Sequence, residues 1–208
     1  MDPTAIDTAE VRGFLHNPTG TNRGGLVLAH GAGGNCDAPV LVAAARGLAA
    51  VGLAVLRIDL PFRRKRPSGP PPRGSGAADR DGLRRAVTLL RTLVPGPIYL
   101  GGHSYGGRQA TLLAAEDPSI ADALLLFSYP LHPPKRPEQL RTEHFTRVTL
   151  RAVFVHGSTD PFGSRDELAE ALALIPARTT LIEISGAGHD LKRGRFDLAP
   201  IAAALLAE

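Results

Sequence analysis

Short apolar runs rich in β-branched residues alternate along the chain with longer stretches rich in Ala and Leu. The runs GLVLAH (25–30), GLAVLRID (52–59), PIYLGG (97–102), DALLLFS (122–128), RAVFVHG (151–157) and TTLIEIS (179–185) read as strands. VRGFLH (11–16) reads as a weaker, edge strand. Helical patterns fall near 38–51, 76–94, 105–116, 164–175 and 196–207. Strands that are apolar on both faces and alternate with helices pack as a parallel sheet covered on both sides. The expected fold is therefore α/β: a doubly wound, mostly parallel sheet of about seven strands with helices on both faces. Gly52, Pro95, Pro97, Pro118, Pro176 and Pro200 punctuate the joints. No repeat or linker interrupts the pattern, so residues 1–208 are expected to form a single domain. The segment 61–74 is expected to be loop, and so is much of 129–147, with a short helix near Glu138 to Phe145.

Composition narrows the function. Twenty-four Lys and Arg against 20 Asp and Glu give a net charge of +4. Much of that excess sits in Arg63-Arg64-Lys65-Arg66, so it is a local feature rather than a basic face. Aromatic residues make up only 5%, and no basic stripe is visible, so no nucleic-acid partner is expected. Cys36 is the only cysteine, which excludes an intrachain disulfide and a cysteine-based metal cluster. No His, Asp and Glu residues fall at metal-ligand spacing, and neither a metal nor another cofactor is expected. The longest nearly apolar stretch, between Arg46 and Arg57, is too short to cross a bilayer. MDPTAIDTAE lacks the apolar core of a secretory signal, so a cytoplasmic, non-membrane protein is expected.

The chemistry gathers at Gly102-His103-Ser104-Tyr105-Gly106. This is G-x-S-x-G, with a strand before it and a helix after it. A strand that turns sharply into a helix brings backbones close together, and glycines two residues either side of the serine leave room for that. A serine hydroxyl is a poor nucleophile by itself. It needs a base, and the base needs an orienting carboxylate. Asp160 follows one predicted strand in HGSTDPFG, and His189 follows the last in GAGHDL. In a doubly wound sheet both then lie on the edge where Ser104 sits, the edge that binds ligands. Asp190 is a rival acid, but side chains adjacent on an extended loop diverge, so Asp160 is preferred. A tetrahedral intermediate also needs N–H donors. Tyr105 is expected to give one and Ala32, in LAHGAGGN (28–35), the other, with Gly33 as the neighbour not excluded.

The sequence resembles the α/β-hydrolase superfamily. HGAGG, GHSYGG, HGSTDPFG and GAGHDL match its motifs in order and spacing over nearly the whole chain from about Leu26. Within it the chain looks like the dienelactone-hydrolase-like branch that includes the testis-expressed and NSL-complex hydrolase-like proteins. HGAGGN, PFRRKRP and FSYPLHPPKRPEQLRTEHF carry that finer likeness. Two departures matter. Dienelactone hydrolases proper use cysteine where this chain has Ser104, so their substrate is not carried over. The usual cap after the sixth strand is also missing, which implies a cap-less hydrolase.

The resulting expectation is a serine esterase acting on a carboxylic ester or thioester through an acyl-enzyme on Ser104, with His189 as base and Asp160 as orienting acid. A scaffold protein on a hydrolase fold, or an acyltransferase with the same residues, are the alternatives. The pocket is expected to involve Phe62, Arg63, Arg64, Tyr129 and Phe162, with Arg63 to Arg66 near its mouth. That basic run either is solvated or attracts a small acyl substrate carrying a carboxylate or phosphate. His30, His103 and His156 are expected to brace loops, and His16, His132 and His144 to be surface or loop residues. Cys36 is expected to be passive.

Overall fold

The computed structural model describes residues 2–207. Its strands are β1 (Thr4–Asp7), β2 (Arg12–His16), β3 (Gly25–Ala29), β4 (Ala54–Ile58), β5 (Ile98–His103), β6 (Ala123–Phe127), β7 (Ala152–Gly157) and β8 (Thr179–Ile184). They form one eight-stranded sheet in the order β1-β2-β4-β3-β5-β6-β7-β8. The pairs from β4 through β8 are parallel, and only β1 with β2 and β2 with β4 are antiparallel. β1 is the strand the apolar pattern misses. It is four residues long, TAID, and mostly exposed at the sheet edge, so it has no apolar run to find.

The helices are α1 (Pro39–Ala50), α2 (Pro61–Lys65), α3 (Gly76–Leu93), α4 (Tyr105–Glu116), α5 (Arg165–Leu172) and α6 (Ala199–Leu206). The period of two along each central strand splits the core into two layers. Val27, Leu100, Leu126 and Phe154 face α3, α4 and α5 on one side. Leu26, Leu28, Leu125 and Val155 face α1 and α6 on the other. Every residue of β3, β4, β6 and β7 is buried. That is the condition under which a strand reads as a continuous apolar run rather than an alternating one.

Two segments depart from the expected loops. Residues 61–65 form the short helix α2, started by Pro61 at its first turn. Pro fits there because its fixed φ suits a helix and its missing N–H is not needed. In the 129–147 segment the helical turn is a 3-10 turn at Phe145–Arg147, later than expected. No inserted cap follows β6, and among the described residues no helix is long and apolar enough to cross a membrane.

Candidate active site

Ser104 sits between β5 and α4 with φ 52° and ψ −115°. This conformation is rare outside glycine and costs of order 1–3 kcal/mol, so the surroundings must hold it. They do so from both sides. Ser104 N–H donates to Phe127 O at 2.9 Å, and Arg108 N–H donates to Ser104 O at 2.9 Å. The flanking glycines are required by close approach. A Cβ on Gly106 would lie 2.6 Å from Ala29 O and 2.7 Å from His30 O, and one on Gly102 would strike Ala29 O.

The loops after β7 and β8 are fastened together. Thr159 donates to Ala187 O twice, from its N–H and from its hydroxyl, both at 2.9 Å. This brings Asp160 under His189. Asp160 accepts from His189 Nδ1 at 2.8 and 3.0 Å, through its two carboxylate oxygens. On the other face of the ring, Ser104 Oγ donates to His189 Nε2 at 2.8 Å. Three residues separated by 85 and 29 positions along the chain thus form one continuous hydrogen-bonded chain. Such a chain can take the hydroxyl proton onto imidazole while the carboxylate steadies the charge that results.

The surroundings tune it. The Asp160 side chain is fully buried, which opposes ionisation. Even so, the hydrogen bond and charge of His189 and the N–H of Phe162 hold its carboxyl below the usual range. Phe162 N–H donates to Asp160 Oδ1 at 2.9 Å, and its ring lies 4.2 Å from the His189 ring. His103 Nε2 donates to His189 O at 2.8 Å and so locates the His189 backbone. Burial lowers the His103 pKa to about 4, so the ring is neutral near pH 7 and its proton belongs on Nε2.

Three backbone N–H groups beside the serine are free for a ligand. Among the described residues, those of Tyr105, Ala32 and Gly33 donate to no protein acceptor. His30 shapes this loop: Leu60 N–H donates to its Nε2 at 3.1 Å, so Nδ1 carries the proton and donates to Gly31 O at 2.8 Å. A cavity of about 590 Å³ opens over Ser104 and His189, with Ala32, Gly33, Val40 and Phe162 in its wall.

Of the five residues expected in the pocket, only Phe162 lines this cavity. Phe62 is buried between the rings of His30 and Tyr105. Tyr129 is buried, and its hydroxyl donates to Arg141 O at 2.6 Å. Arg64 reaches Thr8 O at 3.0 Å and lines a different, mixed-charge cavity. Arg63 is buried at 3% exposure and donates four hydrogen bonds to backbone carbonyls. The basic run is therefore not a cluster of charges at the mouth of this cavity. Beside the carboxylate of Asp190, the cavity wall holds the cation Arg193, which the sequence reading did not single out. Its signal was weak: it belongs to a turn in which Leu191, Lys192 and Arg193 all have positive φ, a conformation their residue types do not announce.

Cys36 is buried outside the cavity wall, and burial pushes its thiol up to about 12. His16, His132 and His144 are buried rather than at the surface. His16 Nε2 accepts from Arg57 at 3.0 Å, and His144 pairs with Thr111 Oγ1 at 2.7 Å. Burial lowers the pKa of His16, His103 and His144 to about 4 each. The unfolded chain, with histidines near 6.5, then binds more protons than the folded one between those values. Stability is accordingly complete above about pH 6.5 and falls as pH drops toward 4, by up to about 1.4 kcal/mol per pH unit for each histidine. Urea midpoints across that range check this, and a flat profile would contradict it.

Residues 22–198 match a family described as an alpha/beta hydrolase domain. The fold is similar to that of a dienelactone hydrolase from Anabaena variabilis, with TM-score 0.72 and 24% identity, covering 98% of this chain and 94% of that one. It is also similar to Est1E from Butyrivibrio proteoclasticus, with TM-score 0.74 and 19% identity, covering 99% and 96%. A third relative in fold is XC6422 from Xanthomonas campestris, described as a serine hydrolase without lid, with TM-score 0.71 and 18% identity, covering 98% and 92%. With the family match spanning most of the sequence, the chain belongs to the alpha/beta hydrolase family.

Proposed function

We propose that the protein is a serine esterase that cleaves a small carboxylic ester or thioester through an acyl-enzyme. The observation that carries this reading is the unbroken chain Ser104 Oγ–His189–Asp160, with links of 2.8 Å on both sides of the imidazole. Ser104 Oγ attacks the acyl carbonyl and His189 Nε2 takes its proton. The N–H groups of Tyr105 and of the Ala32–Gly33 loop receive the negative charge on the carbonyl oxygen. As the intermediate collapses, His189 returns the proton to the leaving alcohol or thiol. Water, deprotonated by the same imidazole, then frees the acid. Asp160 keeps the Nδ1 proton in place and offsets the imidazolium charge. The reading needs no cofactor.

An open cavity without a cap favours small acyl groups and a good leaving group. A substrate bearing a carboxylate fits the reading too, with Arg193 rather than Arg63 or Arg64 as its cation. The test is a panel of p-nitrophenyl esters and acyl thioesters of increasing acyl length, with one ester carrying a terminal carboxylate. Turnover should peak at short acyl chains. The carboxylate ester should gain at low salt, lose that gain as salt screens it, and lose it in Arg193→Ala. No turnover of any ester or thioester would sink the proposal. Equal rates for the neutral and charged esters at low salt would remove the anionic preference alone.

A further inference from the structure

We infer that Arg63 is a positioning residue for the anion-stabilising loop at Ala32–Gly34; this rests on the esterase reading above. Its guanidinium is buried, and four hydrogen bonds occupy it. Nε donates to Gly34 O at 2.7 Å, and one terminal nitrogen donates to Ala32 O at 3.0 Å. The same nitrogen donates to Gly69 O and the other terminal nitrogen to Arg66 O, at 2.9 Å each. No ion pair with a carboxylate is recorded for it among the described residues. The guanidinium also lies over the Phe62 ring, 4.9 Å from its centroid, so its desolvation is offset by carbonyl dipoles and a ring face and not by an ion pair, an arrangement that is expensive to keep.

Geometry says what it does. In a trans peptide the C=O and the following N–H point in opposite directions, and the described residues contain no cis peptide. Holding Ala32 O toward Arg63 therefore turns the Gly33 N–H away from Arg63. Ala32, Gly33 and Gly34 line the cavity over Ser104, and Arg63 does not. His30 does the same one peptide earlier: by donating to Gly31 O it fixes the direction of the Ala32 N–H. The N–H groups of Ala32 and Gly33 are thus turned toward the cavity because side chains hold the carbonyls that precede them, while the Gly34 N–H donates to Gly31 O at 3.0 Å. The positive charge of Arg63 acts in the same sense, since it lowers the energy of an anion forming across the loop.

The platform under Arg63 reaches the other donor as well. Asp79, fully buried, accepts from Phe62 N–H at 3.0 Å, from Tyr105 Oη at 2.7 Å and from Ser75 Oγ at 3.0 Å. One carboxylate thereby joins the helix that carries Arg63 to the residue that follows the nucleophile.

The experiment compares wild type with Arg63→Met and Arg63→Lys on a short neutral p-nitrophenyl ester. It also measures Ki for a trifluoromethyl ketone, which adds to Ser104 to give a tetrahedral oxyanion. Arg63→Met should lose about 10- to 100-fold in kcat with little change in KM, somewhat less than the direct loss of a donor. Ki should rise by the same factor. Arg63→Lys keeps the charge but cannot make four bonds, so it should fall between. In Arg63→Ala, millimolar guanidinium should recover part of kcat. A kcat within twofold of wild type, or a loss that appears only as fewer active sites with Ki unchanged, would overturn the inference. If Arg63→Met does not fold, Arg63→Lys decides by the same two readouts. Wild type is scored first: if it neither turns over esters nor binds the ketone, the esterase reading fails. An active wild type with unaltered Arg63 variants defeats the positioning role alone.

Discussion

Ester turnover is expected to fall by about 10⁴- to 10⁶-fold when Ser104 becomes alanine, because the attacking atom itself is removed. Folding should survive. The substitution deletes one oxygen, and neither backbone bond that pins residue 104, to Phe127 O and from Arg108 N–H, involves the side chain. Alanine inherits the same strained φ of 52° and gains nothing by staying there, so the thermal midpoint should change little. Residual activity near the wild-type level in a folded variant would move the nucleophile elsewhere.

Asp160→Asn is expected to lower kcat by roughly 10²- to 10⁴-fold. Asparagine can present an N–H to His189 Nδ1, which favours the wrong tautomer, and it removes the charge that offsets the imidazolium. Asp190→Asn is the control that separates the two acids. Asp190 is exposed and accepts from Lys192 N–H at 3.1 Å, and its side chain has no recorded bond to His189. It should change kcat by far less. The reverse ranking would transfer the orienting role to Asp190. Steady-state rates on one neutral ester, with circular dichroism to establish folding, are sufficient for both.

The parts of the fold visible in the sequence are those whose physics is local or periodic. The buried strands β3 to β7 announce themselves because a strand covered on both faces is nearly all apolar, with Arg57, His103 and His156 as exceptions. The Ser104 turn is visible because its glycines answer to a crowded backbone, at Gly106 against Ala29 and His30. Asp160 and His189 are visible because strand ends in a parallel sheet share an edge. What stayed hidden depends on where distant segments meet. A run reading Arg-Arg-Lys-Arg looks solvated. That Arg63 alone is buried follows from carbonyls of residues 32, 34, 66 and 69 converging on it, which no local pattern encodes. Tyr129 and Phe162 both follow strand ends, yet only Phe162 faces the cavity, because the chain after β6 folds back so that the Tyr129 hydroxyl meets Arg141 O. Arg193 reaches the cavity wall through consecutive left-handed residues, a shape set by tertiary packing rather than by residue type.

That Ser104 is an activated nucleophile is tested most directly by reaction with a fluorophosphonate, followed by mass spectrometry of the digested protein. The expected result is a single phosphonyl adduct per chain, on the peptide containing Ser104, absent from Ser104→Ala and slowed in Asp160→Asn. Full labelling of the alanine variant, or an adduct on any other residue, would contradict the account.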